Sequence, residues 1–144
     1  MSKKLPFHES KYRQKSKNGR FDPFLEIIIG SNKKPIIALA DTGCTGGLAL
    51  LKSQIEGLDL GRKITDDSFK VTVADGHQLG GDIYLSTIEL DGEKRDVTIM
   101  VIDPDNIKGY VDEKDASILL GREFLDFFDV VFKGKKRTIA FYNP

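Results

Sequence analysis

The chain has 144 residues, 40% hydrophobic and 31% charged, which suits one globular domain with a modest core. Twenty-two Lys/Arg balance 22 Asp/Glu, and no apolar run reaches the roughly 18 residues that a membrane-spanning helix needs. One cysteine excludes an internal disulfide, and one cysteine with two histidines argues against a zinc site, so no metal is expected.

The opening MSKKLPFHESKYRQ lacks the apolar middle of a signal peptide, so a reducing cytoplasm is the expected compartment. Residues 1–20 carry seven Lys/Arg against the single acid Glu9, a net +6 that the rest of the chain balances with −6. This segment reads as a solvated, poorly ordered terminus, with residues 21–144 forming the domain. Such basic tails can supply phosphate contacts. No basic face interleaved with aromatics follows it, however, so nucleic acid is not expected as a partner.

From Phe21 onward the signals are those of strands and tight turns. FLEIIIG (24–30) and PIIALA (35–40), joined by the polar SNKK, predict a β-hairpin. LALLKSQIEGLDL (48–60) places Leu48, Leu51, Ile55 and Leu58 at helical spacing, with Gly57 or Gly61 to end the helix. Residues 69–103 alternate apolar and polar side chains, and Asp75-Gly76 and Asp91-Gly92 punctuate them as two hairpin tips. Residues 104–116 are polar and loop-like. SILLG (117–121) reads as a buried strand, REFLDFF (122–128) as a helical turn or two, and DVVFKGKKRTIAFY (129–142) as a last hairpin around Gly134. The fold class expected is all-β, barrel-like, with one or two short helices.

The strand PIIALA ends on Asp41, followed by Thr42 and Gly43. A buried carboxylate is costly unless it is paired or hydrogen-bonded. Three roles fit Asp41 at this level: a turn residue capping backbone amides, a ligand-binding carboxylate, or half of an acid–base pair.

Apolar-apolar-Ala-Asp41-Thr42-Gly43, followed well downstream by Ile118-Leu119-Leu120-Gly121-Arg122 and a short helix, resembles the retroviral-type (retropepsin-like) aspartic proteases. DTGCTGGLAL is most similar to the small prokaryotic single-domain members of that group. The resemblance runs from about Phe24 to Tyr142 and leaves out the basic segment. Cys44 and Gly46-Gly47 depart from the usual pattern. Thr45 stands where the retroviral enzymes carry an aspartate that pairs with the Arg of Gly-Arg, so no dimer-latch role for Arg122 follows.

The resemblance implies a closed β-barrel working as a homodimer, in which terminal strands of both subunits interleave; Val130, Phe132, Ile139 and Phe141 are available for that. It also implies a catalytic Asp41 supported by Thr42 and Gly43, and a substrate-covering flap at Ala74, Asp75, Gly76 and His77. The chemistry needs two carboxylates sharing a proton. The chain holds one Asp-Thr/Ser-Gly, so the second carboxylate would come from another copy across a two-fold axis. Cys44 reads as a small packed residue, since neither histidine lies near it in sequence. Phe124, Leu125, Phe127 and Phe128 read as core or dimer packing.

The expected activity is thus that of an aspartic endopeptidase acting on a peptide or protein substrate, with no cofactor: there is no P-loop or Gly-x-Gly-x-x-Gly for a nucleotide. The rival expectation is a dimeric peptide-binding module that keeps the fold without catalysis. A third is an adaptor acting through the basic segment.

Overall fold

The computed structural model describes residues 4–72, 78–103 and 116–144. Among the described residues twelve strands are formed, and the longest continuous sheet runs in the order β4 (Phe24–Ile29), β5 (Ile36–Ala40), β10 (Leu119–Leu120), β6 (Leu48–Leu51), β9 (Glu93–Ile102), β8 (Gln78–Leu90), β7 (Arg62–Thr72). An additional pairing of β4 (Phe24–Ile29) with β8 (Gln78–Leu90) closes six of these strands into a barrel, leaving β7 (Arg62–Thr72) outside on β8.

β4 and β5 (Ile36–Ala40) make the expected hairpin, Phe24 opposite Leu39 and Ile27 opposite Ile36. Leu25, Ile27 and Ile29 point into the barrel while Glu26 stays in water, the period-two pattern of a half-buried strand. β9 (Glu93–Ile102) repeats this with Val97, Ile99 and Val101. β8 and β9 turn on Asp91 (φ 49°) and Gly92 (φ 87°), with Leu90 opposite Glu93. Positive φ at both central residues matches the twist of a two-residue hairpin, which is why Asp-Gly predicts it.

The expected helix over 48–60 is not formed. Leu48–Leu51 is strand β6, followed by a single 3-10 turn, Lys52–Ile55. All four β6 residues are buried, because β6 runs parallel to β9 on one edge and antiparallel to β10 (Leu119–Leu120) on the other. A short continuous apolar run suits such an inner strand, and tertiary pairing overrides the coincidental helical spacing. The Gln54 side chain holds the following turn, accepting from the Leu51 N–H at 2.8 Å and donating to the Ala116 carbonyl at 2.8 Å.

A second sheet has the order β1-β12-β11, from His8–Lys11, Thr138–Tyr142 and Asp129–Lys133. β11 and β12 are the expected last hairpin. β1 was expected to be part of a poorly ordered terminus; instead His8 pairs with Phe141 and Lys11 with Thr138. The reason is that Phe7, few though the apolar residues of this segment are, meets an aromatic cluster, 5.2 Å from Phe128 and 6.1 Å from Phe141 between ring centroids. Phe124 joins the cluster from α1 (Arg122–Leu125), 5.3 Å from Phe128. β2 (Arg13–Gln14) and β3 (Phe21–Asp22) then pair with each other.

Ile139 and Phe141 are fully buried within the chain, so they do not supply the intersubunit surface expected of them. On the facing hairpin strand Val131 and Phe132 remain 41% and 39% exposed.

Candidate active site

β5 delivers Asp41 into a short loop that is stitched on both sides. Ala40 and Leu39 lie beside Leu120 and Leu119 in parallel register, and the Asp41 N–H donates to the Leu120 carbonyl at 2.9 Å. The loop then folds back on its own carboxylate: Gly43 N–H donates to Asp41 Oδ1 at 2.8 Å, and Cys44 N–H to the Asp41 carbonyl at 3.2 Å. Asp41 is half-buried, whereas Thr42 and Gly43 are exposed. The carboxylate is therefore held by one backbone amide and presented at the surface.

The far side of the loop is locked to the start of α1. Gly121 N–H donates to the Gly47 carbonyl at 2.9 Å, Arg122 N–H to Cys44 at 2.8 Å and Glu123 N–H to Gly46 at 3.2 Å. A Cβ at Gly121 would collide with the Gly46 carbonyl oxygen and stand 2.7 Å from that of Cys44. Only glycine permits this approach. Gly47 is constrained in the same way, since its Cβ would meet the Thr98 carbonyl and Val97 Cβ, each at 2.5 Å. The Gly47 half of the Gly46-Gly47 departure noted in the sequence thus has a packing reason.

Glu123 escaped the sequence reading. Its carboxylate accepts from both the Thr98 N–H and the Thr98 hydroxyl at 2.7 Å, tying α1 to β9 behind the loop. An acid in the first turn of a short helix was visible, but its partner, 25 residues away, was not. Arg122 points elsewhere: its Nε lies 3.5 Å from Oδ2 of Asp126, the residue that caps the C-terminus of α1, and both are exposed.

Burial pushes the Cys44 thiol up from its ordinary value and the negative charge of Asp41 pushes it further, opposed by a backbone hydrogen bond at Gly46. A thiol so shifted stays protonated at neutral pH and is a poor nucleophile. Among the described residues, no group of three or more His, Cys, Asp or Glu is placed to hold a metal.

Beside Thr42 opens a groove of about 320 Å³, lined by Thr42, Arg122, Leu125, Asp126, Asp129 and Phe132 among others. It runs from the Asp-Thr-Gly loop to the exposed edge strand β11. Thr72 pairs with Gln78 across β7 and β8. The residues between them, including Ala74, Asp75, Gly76 and His77, lie outside the described residues.

No protein-family model matches the chain, and no curated protein matches it. Solved structures do. The EIAV protease complexed with the inhibitor HBY-793 superposes with a TM-score of 0.55 at 20% identity, covering 77% of this chain and 91% of that one. The fold is retropepsin-like. The simian foamy virus (mac) protease (TM-score 0.44, 19% identity, 72% and 92% covered) is also similar. So is the retroviral protease-like domain of Ddi1 from Leishmania major (TM-score 0.47, 16% identity, 83% and 93% covered). At these identities the likeness is one of fold. It agrees with the closed barrel expected from the sequence, and it does not reach the prokaryotic subgroup.

Proposed function

We propose that this retropepsin-like chain is an aspartic endopeptidase whose active site forms between two copies. The observation that carries the reading is Asp41 itself: one surface carboxylate per chain, delivered by a strand, fixed by the Gly43 amide, and set in a loop clamped by Gly121. One carboxylate cannot activate water and protonate a leaving group at once. Two that face each other share a proton, because proximity keeps one neutral while the other ionises. One Asp41 then takes a proton from water as general base. The other, protonated, hydrogen-bonds the scissile carbonyl, and a proton passes to the departing amine.

The surface around the loop supports pairing of two chains. Phe132 lines the groove beside Thr42. Phe127, at 44% exposure, and Val131 are apolar and open to solvent close by in the chain. Among the described residues β11 pairs with β12 alone, leaving its outer edge for a second copy. Exposed Thr42 stands at the same place, where its hydroxyl can hydrogen-bond its symmetry mate. Thr42 and Gly43 act in support of Asp41, and residues 74–77 are assigned to covering the substrate.

Asp41→Asn should abolish cleavage of a peptide library at mildly acidic pH while leaving the dimer intact in sedimentation. A variant that cleaves at the wild-type rate refutes the reading. Wild-type protein that dimerises, binds peptides and cleaves none would point instead to the peptide-binding module.

A further inference from the structure

Two basic stretches far apart in sequence meet in the fold. Residues 11–20 carry Lys11, Arg13, Lys15, Lys17 and Arg20, and the β11–β12 turn carries Lys133, Lys135, Lys136 and Arg137. β1 sets Lys11 opposite Thr138, and the Tyr12 N–H donates to the Arg137 carbonyl at 2.8 Å. On the next hairpin Gln14 pairs with Phe21, and the Arg137 guanidinium lies over the Phe21 ring, 4.7 Å from its centroid. All of these cations are exposed except the half-buried Lys133.

Among the described residues, three acids that reach this lobe are already engaged. Glu9 meets Lys133 at 3.2 Å, Asp22 meets Arg20 at 3.1 Å and Glu26 meets Arg13 at 3.2 Å. Residues 11–20 and 133–137 together hold nine cations and no acid of their own, in a chain whose total charge is zero. Among the described residues, no carboxylate lies against Lys11, Lys17, Lys135 or Lys136. Like charge gathered in this way draws polyanions at a distance and holds them on contact.

Three features choose among polyanions. Lysines on separate turns are flexible point charges, suited to a string of phosphates. Phe21, 40% exposed, is capped by the Arg137 guanidinium, and the ring and guanidinium together form an aromatic–cation stack of the kind on which an unpaired base stacks. Next to it an open groove of about 390 Å³ combines Arg13, Gln14 and Lys15 with apolar Phe24 and Ile37. A lipid surface is held firmly when apolar side chains at the tips of the basic turns insert beside the charges, and neither KSKNG (15–19) nor KGKK (133–136) has one. An acidic peptide would use the charges and leave the aromatic face idle.

We propose that this lobe binds single-stranded nucleic acid, with phosphates on the lysines of the two turns and a base on the Phe21–Arg137 face. The expectation against nucleic acid rested on the lack of a basic face interleaved with aromatics after residues 1–20; the fold makes such a face by bringing the β11–β12 turn and Phe21 beside that segment. The site is independent of Asp41 and of whether the chain cleaves peptides.

The test is fluorescence anisotropy with a labelled mixed-sequence 20-nucleotide RNA and the full chain, at 50 and 200 mM salt. About five phosphate contacts on a single strand give an affinity loss of roughly 100-fold over that range. The combined variant Lys17→Ala, Lys135→Ala, Lys136→Ala should make the log–log salt slope shallower by about 2. The control Lys33→Ala, Lys34→Ala, Lys52→Ala, with the same charge change elsewhere, should bind as wild type. Phe21→Leu, which keeps the apolar bulk, should lose about tenfold in affinity with the slope unchanged. No binding at 50 mM salt, equal losses in both lysine variants, or poly-glutamate or anionic vesicles bound as tightly as RNA would each overturn the proposal.

Discussion

Asp41 and its neighbours show how much a few residues determine. The Asp41 carboxylate has one backbone donor, Gly43, and the loop carrying it is fixed from behind by Gly121. Gly121→Ala should cost roughly 1–3 kcal/mol, because a methyl group there has nowhere to go but into the Gly46 carbonyl. Urea unfolding would measure the loss, and an unchanged midpoint would show that the loop yields.

Cys44 gives a pH prediction with a definite sign. Burial and Asp41 raise its thiol pKa in the folded chain, so between the unfolded and folded values the native state binds the extra proton. The stabilising effect is complete below about pH 9 and is lost as pH rises through the folded value. Cys44→Ala should therefore flatten the alkaline fall in stability. Wild-type Cys44 should also react slowly with iodoacetamide at pH 7 to 8; fast alkylation there would contradict the shift.

At the scale of elements, local patterning was a good guide where one face of a strand is wet. The alternation of β4 and β9 and the Asp91-Gly92 turn were legible, because period-two burial and positive-φ turns leave marks in the sequence, and the last hairpin was legible from two apolar runs on either side of the polar KGKK. β6 was not legible: buried on both faces, its LALL run carries no alternation, and a helical spacing emerged by coincidence. Nor was β1, whose attachment rests on pairing with β12, some 130 residues away, and on one phenylalanine.

In the site, Asp41-Thr42-Gly43 and Leu-Leu-Gly121 stood out by residue type, whereas Glu123 depended on a partner, Thr98, that only the fold brings near. The β1–β12 pairing gives residues 8–11 a place in a sheet, where the sequence suggested a poorly ordered terminus. A chain beginning near Gly19 should melt at a lower temperature than the full chain, and Phe7→Ala should destabilise by about 1–2 kcal/mol through lost aromatic burial. A melting temperature unchanged by truncation would show that β1 contributes no stability.

For the whole molecule, the central claim is that activity belongs to a pair of chains sharing two Asp41 carboxylates. The barrel closes within one chain, while half-buried Asp41, exposed Thr42 and, among the described residues, the unpaired edge of β11 reach the surface. Subunit mixing addresses this most directly. Wild type and Asp41→Asn are unfolded together in equal amounts, refolded, and assayed for peptide cleavage at fixed total protein. If each site needs Asp41 from both partners, only wild-type pairs cleave, and random pairing leaves about one quarter of the wild-type rate. If each chain works alone, one half remains. A residual rate near one quarter is the result this account predicts; a rate near one half contradicts it.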